Sequence, residues 1–554
     1  MMKEKIKPIY CFLIVTIFIF HYKIGITNVI PTNVDWLLQA ADWPQHYLGW
    51  EFFRRTPWGY PLGEFSNLLY PVATNIGFTD SIPLLAISLK LFNLVLPDFF
   101  QYIGLWIFIN ILLQAYLGYL IFRKLNFSIM AATSAGIIMQ LTPALIARLN
   151  HPALTAHWLI LLAIYNYLSF ESKKKDIYLN FLAIILSSLI HPYLAIMIIP
   201  ISLANLWRFK SWPKIIILTI VGLIIPIILW AGIGYFVDYS IGDPQNLGYY
   251  STSLQSFFNP EYAIWDNHLK DASLWLDSRG IRYPSQYEGF AYLGLGVLSG
   301  IILTIAMLLI KTTIHTEESL LTIKTIAVSL SKERKIFFII CIILISLYSI
   351  IHKDNVTYLE QYNNILIIDM FLEKSGVIRA NGRFIWPLMY IVIIITLYGI
   401  QKIFKKHTFY ILTILALIQV VDITPLIKER LFRDQEFVSI KSESSIFWKN
   451  TIKDYKTVNI YPGGQRSYNR ADDYIIFAFW AAQNNIPINA GYLSRYDIEI
   501  SRKFNLELEK NLNNNNLDKN SLYITTKDYK TLFQNISQNT SRELVEYDNY
   551  YILK

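Results

Sequence analysis

Long apolar runs separated by short polar clusters rich in Lys and Arg dominate the first 425 residues. The runs at 102–122, 215–236 and 336–351 come near the ~20 residues that a helix rising about 1.5 Å per residue needs to cross hydrocarbon. None alternates apolar and polar side chains as the strands of a membrane barrel do. The pattern predicts an α-helical multi-pass membrane protein of about eleven spans. They lie near 9–26, 101–122, 128–148, 153–170, 177–190, 192–207, 214–237, 289–311, 335–352, 384–401 and 408–425.

With Lys3, Lys5 and Lys7 in the cytoplasm, this assignment keeps the other basic clusters there almost throughout. These are Arg123 with Lys124, the run 173–175, Arg208 with Lys210 and Lys214, the segment 311–335, and Lys402 with Lys405 and Lys406. Reading 82–96 as a span would break that distribution, so it is expected to be a re-entrant or interfacial helix on the external side, in keeping with Lys90 at its middle. His191-Pro192 interrupts a long apolar stretch and predicts a tight external turn. No small-residue cleavage site follows the apolar 9–20 stretch, which reads as a retained first span.

The external segments are then 27–100, 238–288, 353–383 and a tail, 426–554. The tail is polar, with strand-like pieces at 457–461, 521–525 and 550–553 and a loop at 511–516, which predicts a small extracytoplasmic α/β domain. The expected division is a polytopic membrane domain, 1–425, followed by that C-terminal domain.

Composition agrees: 54% of residues are hydrophobic and 16% charged, too apolar for an ordinary soluble multidomain protein. The formal charge of +9 is scattered between apolar runs rather than gathered on one face, which argues against nucleic-acid binding. Cys11 and Cys341 both sit in apolar runs, so no disulfide framework or thiolate metal site is expected.

Candidate chemistry concentrates in the first external loop, which holds Asp35, Asp42, His46, Trp50, Arg54, Trp58 and Asp80. If 43–55 is helical, Asp42, His46, Trp50 and Arg54 recur every four positions and share one side. Asp42 and Asp80 each also fit an N-cap, and the tryptophans and arginines also fit interfacial anchoring. A carboxylate near low dielectric gains a raised pKa suited to general-base work, and two together suit a hard divalent cation. Glu288 and Arg383 lie at span entrances on the same side, where a guanidinium can grip a phosphate with paired hydrogen bonds. His191 reads as a turn histidine.

The architecture resembles the GT-C class of membrane glycosyltransferases. A narrower resemblance, to a bacterial GT-C-like family, rests on Gly49-Trp50-Glu51-Phe52-Phe53-Arg54, Pro57-Trp58, Thr79-Asp80-Ser81-Ile82-Pro83-Leu84 and Asn381-Gly382-Arg383-Phe384. It implies an inner or plasma membrane location, a polyprenyl-phosphate-linked sugar donor and an extracytoplasmic glycan, lipid or protein acceptor. It also implies a base or metal ligand among the loop acids, pointing to Asp42 with Asp35 and Asp80 as rivals and His46 assisting. Arg383 and Arg54, with Trp50, Trp58 and Glu288, would bind substrate and phosphate. The loop contains no Asp-x-Asp pair, so a dependence on Mg or Mn stays open. The alternatives are a transporter or flippase, and a polymerase or ligase of lipid-linked glycans.

Overall fold

A computed structural model describes residues 7–39, 42–168, 174–209, 211–237, 249–265, 268–278, 284–314, 332–351, 380–429, 439–465 and 474–554. Most of the 353–383 loop, part of the 238–288 loop, Lys173 and Lys210 fall outside them.

Each expected apolar run carries a helix. They are α1 (Pro8–Lys23), α4 (Ile103–Lys124), α5 and α6 (Ile129–Gln140, Pro143–Ala147), α7 (Trp158–Tyr167), α8 (Lys174–Ile190), α9 (Pro192–Leu206), α10 (Trp212–Ile233) and α11 (Leu295–Ile314), then Lys332–Ile350, Trp386–Phe404 and Thr408–Asp422. Proline opens α1, α6 and α9, where its missing N–H would have no helical partner anyway. Among the described residues, four helical stretches are long and apolar enough to cross a membrane: Ile103–Lys124, Ile129–Asn150, Trp212–Ile233 and Asn381–Asp422. They present apolar surface that water would not tolerate. On α10, Ile216, Ile217, Ile220, Ile224, Ile227 and Ile228 are all exposed, a band far larger than a soluble monomer carries. These helices mark an integral membrane protein.

The two ends of the bundle differ. At one, Lys124 donates to the Tyr165 carbonyl, Arg208 pairs with Asp176 at 2.7 Å, and Arg334 bonds Asn205 Oδ1 at 2.9 Å. At the other lie the end of α6, the junction of α8 with α9, and the segments that lead into α11 and into Trp386–Phe404. The candidate site is built there.

The first loop supplies α2 (Trp43–Arg55), α3 (Pro83–Lys90) and a two-residue antiparallel pair, β1 (Glu64–Phe65) with β2 (Thr74–Asn75). Every side chain from Trp43 to Arg54 is buried, because α2 is covered by the loop itself, by the bundle and by the C-terminal segment. Glu51 binds Arg54, Arg55 and Gln483, and burial raises its carboxyl above the ordinary range against the pull of both arginines.

The C-terminal segment forms a four-stranded sheet of β3 (Thr457–Tyr461), β4 (Ser521–Thr525), β6 (Tyr550–Leu553) and β5 (Leu544–Tyr547), in that order. The β3–β4 pair is parallel and the others antiparallel. Helices Ile498–Asn513 and Lys530–Asn539 cover one face through Leu508, Leu512, Phe533 and Ile536. The 511–516 stretch is thus only partly a loop. Leu512 is buried under the sheet, so residues up to Asn513 complete the helix before the turn begins.

Candidate functional site

The centre of the site is Asp80, held by the tightly bonded turn 76–82. Ser81 N donates to the Ile76 carbonyl at 3.3 Å, and Thr79 Oγ1 to the same carbonyl at 3.0 Å. Ser81 Oγ donates to the His46 carbonyl at 2.7 Å, and the Tyr102 hydroxyl donates to the Ser81 carbonyl. Asp80 and Ile82 take φ of 53° and 55°. For a β-branched isoleucine that region is strained, and such strain persists only where surroundings over-determine the backbone. Neither Asp42 nor Asp80 caps a helix: Asp42 makes no side-chain cap bond at the start of α2, and Ile82 stands at the cap of α3.

Three imidazoles surround the Asp80 carboxylate. His191 Nε2 stands 3.5 Å from Oδ1 and His151 Nε2 stands 3.6 Å from Oδ2. The His46 ring lies 5.3 Å from the His151 ring, which lies 5.9 Å from His191. The histidines arrive from different elements: His46 from α2, His151 from the turn after α6, His191 from the start of α9. Burial opposes ionisation of Asp80. The His191 hydrogen bond and the electrostatic pull of His151, His191 and His46 outweigh it and hold the carboxyl well below the usual carboxylate range. Burial lowers His151 and His191 below the ordinary imidazole range despite Asp80. The raised value expected of a carboxylate in this loop is thus not found at Asp80, because His151 and His191 face its two oxygens and favour the ionised form more than burial disfavours it.

A second cluster adjoins it. Arg383 Nε and Arg148 Nη1 meet Glu288 Oε2, and the Arg383 guanidinium lies 4.9 Å from the Tyr193 ring centre. Glu288 is held well below the carboxylate range because the charges of Arg148 and Arg383 outweigh the effect of burial. Close backbone approach makes this meeting feasible. A Cβ on Gly289 would stand 3.1 Å from Gly382 Cα, and one on Gly382 only 2.6 Å from the Tyr250 carbonyl. The clusters act on each other: Arg383 contributes to the electrostatics of Asp80, His151 and His191, and Asp42 to those of Arg148.

Of the residues singled out in the sequence, Asp80, His46, Glu288 and Arg383 come together, with Asp42 in electrostatic reach. Others are engaged elsewhere. Asp35 accepts from Ser439 Oγ at 3.0 Å and from the Ile440 N–H. Trp50 donates to the Phe100 carbonyl and packs on Tyr102. Arg54 binds Asn93 Oδ1 at 2.7 Å and the carbonyls of Pro97 and Asp98. Trp58 is 46% exposed and lies beside Lys90 and Phe53. The shared face of α2 is therefore split: His46 reaches the site, whereas Trp50 and Arg54 tie α2 to the connection between α3 and α4. From the C-terminal segment, Ser494 N and Oγ each donate to the Phe78 carbonyl at 2.9 Å, and Arg495 lies over the Phe78 ring.

Sequence reasoning missed Arg148, placed His151 only among the ionisable groups on the external side, and read His191 as a turn residue. Its Nδ1 does accept from the Tyr193 N–H at 3.2 Å, as a turn histidine would. Nε2 then carries the proton and faces Asp80. The available signal was His-Pro occurring twice, at 151–152 and 191–192, each at a helix interruption.

A hard divalent cation such as Mg or Mn prefers several oxygen ligands. The site offers one carboxylate hemmed by imidazoles and a second bound by two guanidiniums, and among the described residues no three His, Cys, Asp or Glu side chains are grouped as metal ligands. The donor set does not fit such an ion.

The crystal structure of ArnT from Cupriavidus metallidurans in the apo state is similar over 98% of this chain and 97% of that one, at 10% identity and a TM-score of 0.39. Among curated proteins none matches. Two family models do match, the domain of unknown function DUF6311 over residues 12–424 and the DUF6311 C-terminal domain over residues 447–554. The chain, with its Asp80 and Arg383 clusters, belongs to the DUF6311 family.

Proposed function

We propose that this protein is a membrane glycosyltransferase that moves a sugar from a polyprenyl-phosphate donor to a hydroxyl of a glycan, lipid or protein acceptor. The observation that carries the reading is the pairing of an ionised, histidine-held carboxylate, Asp80, with the Arg148–Glu288–Arg383 cluster beside it at one end of an apolar bundle.

Each part has a role in a single displacement. The acceptor oxygen attacks the anomeric carbon as its proton passes to Asp80, the base. The bond from that carbon to the phosphate oxygen breaks with its electron pair leaving on phosphate. Arg383 and Arg148 stabilise that charge. The configuration inverts. Asp42, within electrostatic reach of Arg148, is the rival base. The basic clusters at the opposite end favour an extracytoplasmic site with the N-terminus in the cytoplasm. A lipid-linked donor suits that side, because its chain stays in the bilayer and reaches the site laterally. The donor and acceptor are thus the partners, with membrane lipids around the helices. The C-terminal α/β segment, expected on the same side, would cover the site through Ser494 and Arg495.

The test is transfer of radiolabelled sugar from membrane-extracted polyprenyl-phosphate donors by the purified wild type, Asp80→Asn, Asp42→Asn and Arg383→Ala at matched folded yield. Transfer by the wild type and its loss in Asp80→Asn support the reading with Asp80 as base. Loss confined to Asp42→Asn moves the base to Asp42. Folded wild type that transfers from no donor, yet moves lipid-linked glycans across vesicles, replaces it with a flippase.

A further inference from the structure

Two nitrogen atoms beside Asp80 have no partner. His46 Nδ1 faces the Thr79 carbonyl at 3.2 Å, and a carbonyl only accepts, so Nδ1 carries the ring proton and Nε2 is a lone-pair acceptor. That Nε2 is buried without a hydrogen bond on a residue with 0% exposure. His151 mirrors it. Its Nε2 faces the ionised Asp80, which only accepts, so Nδ1 is the lone-pair atom, and Nδ1 too is buried and unpartnered. The rings are 5.3 Å apart. Native folds leave few buried polar atoms unpaired, and two on adjacent rings call for a common occupant.

The occupant must donate hydrogen bonds twice over a short distance. A cationic donor would be drawn to Asp80 but repelled by Arg383, whose charge acts on both His151 and His191. A hydroxyl donates without charge, and neighbouring hydroxyls on one sugar ring donate as a pair. We propose that His46 Nε2 and His151 Nδ1 are a sugar-binding subsite, accepting from two hydroxyls of one glycosyl ring. The subsite rests on the transferase reading for its place in a reaction but not for its chemistry. His191 lies outside it, because its Nδ1 is taken by the Tyr193 N–H.

The ring is either that of the lipid-linked donor or that of the acceptor glycan. The experiment separates them by binding to the full-length protein in lipid nanodiscs, without turnover. Its probes are short-chain isoprenyl phosphates bearing each of a panel of hexoses and pentoses, the same isoprenyl phosphate without sugar, and the matching methyl glycosides. At least one sugar is expected to tighten binding over the bare lipid phosphate. His46→Leu and His151→Leu should each weaken that preference about fivefold while binding of the bare phosphate holds. His46→Gln and His151→Gln, which keep an acceptor oxygen, should retain more of it. Dependence seen with methyl glycosides alone assigns the acceptor sugar, and dependence confined to the lipid-linked compounds assigns the donor.

No sugar preference in the wild type, or one unchanged in folded leucine variants, overturns the subsite. Should a leucine variant fail to fold, nitrogen-15 imidazole spectra of the wild type take its place. Sugar must move the unprotonated His46 and His151 signals, and unmoved signals count against the subsite. A histidine-dependent preference with no transfer leaves the subsite standing and removes the transferase. Transfer that persists with an unaltered sugar preference in both leucine variants removes the subsite alone.

Discussion

Arg148 and Arg383 converge on one oxygen atom, Glu288 Oε2, at 3.0 and 2.8 Å. Two guanidiniums on one buried carboxylate leave a net positive charge and spare N–H donors, among them the buried, unpartnered Arg148 Nε. An anion arriving there would meet pre-oriented donors without displacing Glu288.

Removing Glu288 should therefore cost more than removing either arginine. Glu288→Ala leaves two buried cations facing each other and should destabilise the protein by about 3–5 kcal/mol, the range for breaking a buried pair. Adding Arg383→Ala to it should recover part of the loss, because the repulsion goes with it. Thermal unfolding of the three variants in one detergent reads this. Strict additivity would mean that the charges do not interact.

Asp80 invites a contrast between two substitutions. Asparagine tolerates a positive φ and fills the same volume, so Asp80→Asn should keep the turn at 76–82 while losing the base. On the transferase reading, turnover falls by about 10²–10⁴-fold with a melting temperature close to wild type. Asp80→Ala should lose the same activity and stability besides. Equal stability in the two would refute the account of the strained turn.

Acid should weaken the fold before it ionises the site. Burial holds His151 and His191 below 6.5 in the folded protein, whereas unfolded they titrate near that value. Below about pH 6.5 the unfolded chain binds protons that the folded chain refuses, so stability falls, by up to about 1.4 kcal/mol per pH unit for each histidine. Asp80 adds to the loss at lower pH, since its folded value is depressed and its contribution vanishes as pH falls through that value. Melting temperature should be level near neutrality and fall as pH drops from about 6.5 to 5. The slope should be shallower in His151→Gln and His191→Gln. A melting temperature that rises on acidification would contradict the assignment.

The helices were legible because crossing a bilayer takes a long unbroken apolar run, which needs no knowledge of neighbours. Strands at 457–461, 521–525 and 550–553 were legible from local composition, and the structure has them with those ends. The site was half legible. Asp80, His46, Glu288 and Arg383 stood out as charged or ionisable groups beside apolar stretches. Spacing along α2 could not say that His46 meets Asp80 while Trp50 and Arg54 do not, because the whole helix is buried and each face meets a different neighbour. Arg148 escaped notice because it ends an apolar run that reads as a span. Its partner Glu288, like the Asp80 that His151 meets, comes from a distant segment, so the pairing is written only in tertiary structure.

Arg54 tests that distinction directly. Its guanidinium ties Asn93 to the carbonyls of Pro97 and Asp98 and touches no member of the Asp80 cluster among the bonds described. Arg54→Ala should lower stability by about 1–3 kcal/mol, since Glu51 loses a partner and several acceptors lose a charged donor. The folded fraction should keep an unaltered KM for the donor. A raised KM at unchanged melting temperature would return Arg54 to the substrate site.

Gly49 controls the site without belonging to it. A Cβ there would lie 2.2 Å from Thr79 Oγ1 and 2.8 Å from Ser81 Oγ, distances at which something must move. Helix α2 is packed on every side, so the movable partner is the turn that carries Asp80. Gly49→Ala should push Thr79 and Ser81 away from α2 and break the bond from Ser81 Oγ to the His46 carbonyl. Overpacking of this kind costs typically about 1–3 kcal/mol, offset only in part by the better helix propensity of alanine. Asp80 would then leave its place between His151 and His191. The expected result is a moderate fall in melting temperature with a far larger fall in turnover, although the new methyl group touches no reacting atom. Pairing the substitution with Ser81→Gly removes one of the two contacts and should recover less activity than Thr79→Gly, which removes the closer one at 2.2 Å. Unchanged turnover in Gly49→Ala would mean that the position of Asp80 does not depend on α2.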